Sequence, residues 1–187
     1  MTKDLIRLNL KALRQKSGLS LTKTAELTGV SKAMLDQIER GESSPTLQTI
    51  WKLAKGFHLP LTAFVEDLSI SPDEASITAY NRVEFEGEFK FETLFPFDPK
   101  LGYETFMNDL APHQTYLSAA HDTGVVEDII VISGQMDVLF NGVWAHCKTG
   151  QALRFAADQA HGYRNPNSEI ARFVNTMHYP KTNILTA

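Results

Sequence analysis

Two kinds of residue in this 187-residue chain could do chemistry. The first is the pairing of imidazole with carboxylate. The chain holds six histidines and 22 acidic residues. Two imidazoles and one carboxylate suffice to hold Zn, Ni or Fe(II) while leaving positions open for a small molecule. Residue type alone leaves open which of them converge. The second is a short polar run, SKAMLDQIER, at residues 31–40. On a helix surface, lysine can bond guanine edges and glutamine adenine edges, while arginine and helix-opening amides suit phosphate. The one thiol, Cys147, follows His146. Adjacent residues on a strand point to opposite faces, so Cys147 reads as packing rather than as a partner for His146. A single cysteine excludes an intramolecular disulfide and fits a reducing compartment.

Two periodicities must position these residues. Up to about residue 67 the apolar residues recur at helical spacing: Leu5, Leu8, Ala12 and Leu13; then Leu35 and Ile38; then Leu47, Ile50, Leu53 and Ala54; then Leu61, Phe64 and Val65. Gly18, Gly29, Gly41, Pro45 and Pro60 punctuate them, and Ser20, Ser31, Thr46 and Thr62 are the expected N-caps. Five short helices are predicted. Trp51 and Phe57 fall on the fourth and read as packing. From about residue 76 the pattern becomes strand-like, with runs such as ITAYNRVEF, GYETFMNDL, QTYLSAAH, EDIIVISG, QMDVLF and ARFVNTMHY. Pro96, Pro112, Gly134, Asn141-Gly142 and Pro166 read as turns between strands. The expected division is a helical domain over 1–68, a linker over 69–76 and a β domain over 77–187.

Charge divides in the same place. The first 60 residues hold ten Lys/Arg against five Asp/Glu, whereas residues 69–187 hold eight against fifteen. A basic module that meets polyanion joined to an acidic one that does not would give this asymmetry. No apolar run approaches the roughly 18–20 residues that span a bilayer, and the charged amino terminus lacks the apolar core of a secretory signal. A cytoplasmic protein that avoids membranes is expected.

Within the first module, two short helices with Gly29 between them have the proportions of a helix-turn-helix, whose second helix enters the major groove. Leu21, Ala25, Val30, Leu35 and Ile38 are the apolar residues expected to fix their angle. The run from residue 25 to 41, AELTGVSKAMLDQIERG, resembles the Xre/phage-repressor family of helix-turn-helix domains, which show A-x-x-x-G-V-S-x-x-x-L-x-x-I-E-x-G. Thr24 departs from the family by standing where an apolar residue is usual. The resemblance covers residues 5–67 and implies that 31–39 is the recognition helix. It leaves Ser31, Lys32, Ala33, Met34, Asp36 and Gln37 exposed, with Met34 placed partly in the core as the other possibility. Lys32 and Gln37 are the expected base readers and Ala33 fits a thymine methyl. Arg40 and the amides at Thr46 fit phosphate. The plainer reading is a solvated polar helix face.

In the second module, many short strands with Gly and Pro turns suggest a sandwich or barrel. His121, Glu127, Gly134, Gly150, His161 and Asn165 follow the order and spacing of the two cupin motifs, so residues 76–180 resemble a cupin, a small jelly-roll barrel. The resemblance implies a metal site on His121, Glu127 and His161. Thr123 replaces the second motif histidine, and Ala156 and Asp158 replace the Pro and Gly of the second motif. Zinc is the first expectation, and an empty polar pocket that binds ligand by hydrogen bonds alone is the alternative. Strand alternation places Ile129, Val131 and Tyr163 on the inward face with Glu127 and His161, lining an effector pocket; Arg154 is a further candidate for pairing with a carboxylate. His113, His146 and His178 fall outside the motifs and are expected on the surface or in loops.

The resemblances together imply an α+β two-domain regulator, all-α helix-turn-helix followed by all-β cupin. It would bind a double-stranded DNA operator as a homodimer, with affinity modulated by a small effector, an amino acid or amine among the candidates. A cupin-type non-haem metal oxygenase or epoxidase with an accessory helix-turn-helix is the alternative, and an antitoxin a third reading.

Overall fold

The computed structural model describes residues 2–64, 89–98 and 100–180. The chain divides into two compact units, each described by itself. The expected boundaries at 68 and 77, the linker at 69–76 and the run ITAYNRVEF lie outside the described residues, as do the side chains of Leu5, Leu8 and Val65.

Among its described residues the first unit contains four α-helices: α1 (Thr2–Lys16), α2 (Leu21–Thr28), α3 (Lys32–Arg40) and α4 (Leu47–Phe57). The fifth expected helix is instead a 3₁₀ turn, Leu61–Phe64, in which Ala63 N donates to Pro60 O at 3.2 Å. Thr62 is buried inside that turn. The other three caps form as their residue types dictate: Ser20 accepts from Lys23 N, Ser31 from Met34 N and Thr46 from Thr49 N, at 3.1–3.2 Å. Gly29 ends α2 at φ 67° and Gly41 ends α3 at φ 71°, left-handed geometry that costs glycine little.

Leu10, Leu35, Ile38, Ile50, Leu53, Leu61 and Phe64 form the centre of this unit. On α1 the buried position is Leu10; of the expected stripe, Leu13 is half-buried and Ala12 is exposed. On α2 the fully covered residues are Thr24 and Thr28, with Leu21 and Ala25 only half-buried. The two hydroxyls fit an apolar place because each donates to a carbonyl four residues back, Thr24 to Ser20 at 3.0 Å and Thr28 to Thr24 at 2.8 Å. Thr28 Oγ1 also accepts from Val30 N across the turn.

The second unit is all-β: β1 (Phe89–Asp98), β2 (Tyr103–Leu110), β3 (Thr115–Ser118), β4 (Val126–Ser133), β5 (Gln135–Phe140), β6 (Val143–Lys148), β7 (Ala152–Ala156), β8 (His161–Arg164) and β9 (Ala171–His178). They form two antiparallel sheets, ordered β1-β2-β9-β4-β7 and β3-β8-β5-β6. Asn141 (φ 51°) and Gly142 (φ 75°) close the β5–β6 hairpin in the doubly left-handed turn their types favour. Pro96 lies within β1 rather than in a turn. An edge strand tolerates the missing donor, and the register shifts on both sides of Phe95. Alternation sends Glu104, Phe106, Asn108 and Leu110 of β2, Glu127, Ile129 and Val131 of β4, and Phe173, Asn175 and Met177 of β9 to the interior. Cys147 packs inward while its neighbour His146 faces out.

Candidate functional site

In the helical unit, the side chains of α3 separate cleanly. Leu35 and Ile38 are buried; Ser31, Lys32, Ala33, Met34, Gln37 and Arg40 are exposed and Asp36 is half-exposed. Met34 is 37% exposed and so belongs to the outer face. Arg40 is engaged with Asp36 (2.9 Å) and Glu42 (3.1 Å), so its charge is partly met within the protein. Thr46 is exposed at the start of α4. One functional feature carried no sequence signal of its own. Glu39, on the back of α3, is held by the Arg14 guanidinium of α1 through Nε–Oε1 (2.5 Å) and Nη2–Oε2 (2.8 Å), and Arg14 Nη1 also donates to Leu19 O.

In the β unit, two strands and a loop bring His121, Glu127 and His161 together, their nearest ligand atoms all within 4.8 Å of one another. Glu127 Oε1 lies 3.0 Å from His121 Nε2 and 3.3 Å from His161 Nε2. Its other oxygen, Oε2, accepts from the Tyr163 hydroxyl and from Asn175 Nδ2 (3.0 Å). One carboxylate oxygen is thus fixed by the scaffold and the other is presented to both imidazoles. His161 Nδ1 donates to Gln159 O at 2.8 Å, which aims Nε2 at the site. Ligand atoms on one zinc ion stand about 3.0–3.4 Å apart. The measured separations, the carboxylate anchors and the backbone bond to the imidazole therefore fit a divalent ion held by these three residues.

The electrostatics follow from burial and partners. Burial pushes Glu127 up, but the bonds from His121 and His161 outweigh it and hold the carboxyl well below the usual range. Burial pulls His161 down, and the Glu127 carboxylate more than reverses this. Tyr163, buried against Glu127, is raised well above the ordinary phenol value, and Tyr116, stacked on Tyr163, is pushed up to about 12 by burial and the same carboxylate. Both phenols stay protonated near neutral pH.

Ile129 and Val131 are buried on the same face of β4 as Glu127. Arg154 is not among the lining residues. It pairs in register with Asp128 rather than with Glu127, so alternation turns it outward, where it is 70% exposed and donates to Asp128 Oδ1 and Oδ2 at 2.5 Å. Thr123 sits exposed in the turn before β4. His113 is exposed in a turn, and His146 and His178 lie on the outer faces of their strands, bonded to Asp137 and Asp128. Asn175, which anchors Glu127 from β9, carries no motif or periodicity signal of its own; the register of β4 against β9 places it there.

A reading helix on a small helical unit, and a histidine–carboxylate cluster inside a two-sheet barrel, define a helix-turn-helix regulator with a cupin domain. The helix-turn-helix family (HTH_3) matches residues 10–64 and the cupin family (Cupin_2) residues 106–177. The HTH-type transcriptional regulator SutR of Escherichia coli K12 is 42% identical over 173 residues, covering 92% of this chain and 94% of that protein. The HTH-type transcriptional regulator PuuR of the same organism is 24% identical over 180 residues, with the same coverage. The crystal structure of an HTH_3 family transcriptional regulator from Vibrio cholerae superposes with a TM-score of 0.78 at 41% identity, covering 96% of this chain and 98% of that one. The chain belongs to the Xre-type helix-turn-helix transcriptional regulators that carry a C-terminal cupin domain. Among the described residues, no helix is long and apolar enough to cross a membrane.

Proposed function

We propose that this regulator binds a specific operator as a cytoplasmic homodimer and that a small effector in the cupin barrel alters its affinity for that DNA. Domain limits of 1–68 and 77–187 go with this reading. Lys32 and Gln37 read bases, Ala33 packs on a base, Ser31 and Asp36 border them, and Arg40 and the amides behind Thr46 meet phosphate. One recognition helix reads only a few base pairs, so a dimer on two half-sites supplies the needed specificity.

The observation that carries the effector half is the buried Glu127 carboxylate, with Oε2 anchored by Tyr163 and Asn175 and Oε1 turned to His121 and His161. Placing a charge there is costly unless it is used. His121, Glu127 and His161 would hold one divalent ion, zinc by preference, which when bound supplies a Lewis-acidic anchor for an effector donor atom. Ile129, Val131 and Tyr163 shape the wall beside it. For the effector to regulate, it must bind the DNA-competent and DNA-released arrangements unequally.

The test pairs two measurements on the full chain: retardation of its own upstream DNA against scrambled DNA, and metal content after purification without chelator. Sequence-selective retardation of a dimer, shifted by a dialysable cell fraction, is the expected result. The same two-histidine, one-carboxylate set serves non-haem Fe(II) chemistry, so oxygen uptake by iron-loaded protein without DNA selectivity would instead favour an enzyme.

A further inference from the structure

The outer face of the five-stranded sheet carries a row of apolar side chains. Cross-strand pairing sets Met107 of β2 beside Val174 of β9, Val174 beside Ile130 of β4, and Ile130 beside Ala152 of β7. Ile129 and Val131 turn inward, so alternation turns Ile130 and Ile132 outward, where they are 44% and 45% exposed. On the edge strand β1, Phe95 is 46% exposed beside Thr105. Contiguous exposed apolar surface of this kind marks an interaction site. The charges that border the row are met within the chain: Arg172 donates to both oxygens of Asp109 on one side, and Arg154 to both oxygens of Asp128 on the other. Covering the face strands none of these four charges.

The face is also uneven. A groove of about 410 Å³ opens over β1, β2 and the start of β9, lined by Lys90, Glu92, Leu94, Met107, Asp109 and Arg172. Ile130 and Ile132 stand on β4, across the central strand β9 from the groove. We infer that this face joins two copies of the chain about a two-fold axis that runs along β9. A half-turn about that axis exchanges β2 with β4 and β1 with β7, and keeps each cross-strand row at its own height. Ile130 and Ile132 of each copy then enter the groove of the other, with Ile130 against the partner's Met107, and Val174 meets the partner's Val174. Phe95 and Arg154 close opposite ends of the row Phe95–Thr105–Thr176–Asp128–Arg154. The same rotation therefore sets each Arg154 guanidinium over the partner's Phe95. A patch that answers itself in this way is what an isologous dimer requires. The area suffices. Five strands about 4.8 Å apart, with eight residues of about 3.4 Å each, give a face of roughly 650 Å², or about 1,300 Å² over both copies, within the range of specific interfaces. This rests on the homodimer reading and assigns its contact surface.

Sedimentation of the full chain at micromolar concentration tests the face. Wild type runs as a dimer. Ile130→Lys and Met107→Glu each weaken the dimer by roughly a hundredfold or more, because each buries an unpaired charge. Combined in one chain, the two new charges stand two strands apart within a copy but meet across the axis, so the double variant returns to within about tenfold of wild type. Leu117→Lys, at an equally exposed apolar position on the other sheet, leaves the dimer unchanged. Circular dichroism reports the fold of each variant, and Ile132→Lys replaces Ile130→Lys should that variant misfold. A wild-type dimer that neither single change weakens would overturn the inference and leave the face to another occupant, a segment of the same chain included. Single changes that weaken the dimer without rescue by the double would overturn it too. In both cases the homodimer reading stands, whereas a wild type that sediments as a monomer would overturn both.

Discussion

Arg14 and Glu39 lock α1 to the back of the recognition helix through two parallel N–H···O bonds of 2.5 and 2.8 Å, with side chains only 15% and 7% exposed. A bidentate pair fixes angle as well as distance, so the outward face of α3, with Lys32 and Gln37, is presented in one orientation. Glu39→Ala leaves a guanidinium largely buried with Leu19 O as its remaining backbone acceptor, and should destabilise the helical unit by about 2–3 kcal/mol. Replacing both residues by leucine should restore most of this loss. Denaturant unfolding in a Trp144→Phe background, where Trp51 reports the helical unit, measures both; a Glu39→Ala change under 0.5 kcal/mol would mean the pair does little to hold the helix.

Lys32→Ala and Gln37→Ala should each cost about 1–3 kcal/mol on the operator with little effect on random DNA. Arg40 must leave Asp36 and Glu42 to reach phosphate. Arg40→Ala should therefore weaken operator and random DNA alike and lower the salt dependence by about one phosphate contact. Asp36→Ala, which removes one of Arg40's carboxylate partners and a negative charge, should strengthen random-DNA binding several-fold. Affinities on both DNAs at two salt concentrations separate these cases; equal losses on both DNAs for Lys32→Ala and Gln37→Ala would reduce those residues to backbone contacts.

Metal content should follow the cluster. His161→Ala should abolish divalent metal in the purified protein. Tyr163→Phe, which removes one anchor from Glu127 Oε2 but leaves Asn175, should retain the ion with affinity lowered about 10–100-fold. Effector-free operator binding should survive in both, since the reading residues lie in the other unit. Elemental analysis and a competing chelator give the answer, and a wild type without metal would assign the cluster to hydrogen bonding alone.

Without metal, the Glu127–His161 interaction sets a pH window for the β unit. Glu127 is depressed below its ordinary 4.5, so its contribution is present above 4.5 and fades as pH falls toward its folded value. His161 is raised above its ordinary 6.5, so its contribution is complete below 6.5 and fades as pH rises through its folded value. Glu127 owes its depression first to His121 and then to His161, and the His161 shift is the other side of that second bond, so chelator-treated protein should be most stable between about pH 4.5 and 6.5. Zinc must displace the proton on His161 and should reverse the upper slope, stabilising more as pH rises above 6.5. Melting curves from pH 4 to 9, with chelator and with zinc, show it; a zinc increment independent of pH would separate the ion from His161.

The class of each unit, and where the reading helix begins and ends, were legible in the order of residues alone. Those features are local: a serine hydroxyl within reach of an amide three residues on, glycine at the left-handed helix end, an Asn-Gly turn, and the spacing of Leu35 and Ile38. Residue order also placed Glu127, Ile129 and Val131 on one face, because strand alternation is set by position alone. What it left to the tertiary structure was everything that depends on register between strands or contact between helices. Arg154 and Glu127 stand on neighbouring strands, and only the pairing of Arg154 with Asp128 shows that they face opposite ways. Arg14 and Glu39 are 25 residues apart and meet only when α1 packs on α3. Asn175 reaches Glu127 across 48 residues. A single chain shows which groups could bond; which of them do is decided when folding brings distant segments within about 3 Å.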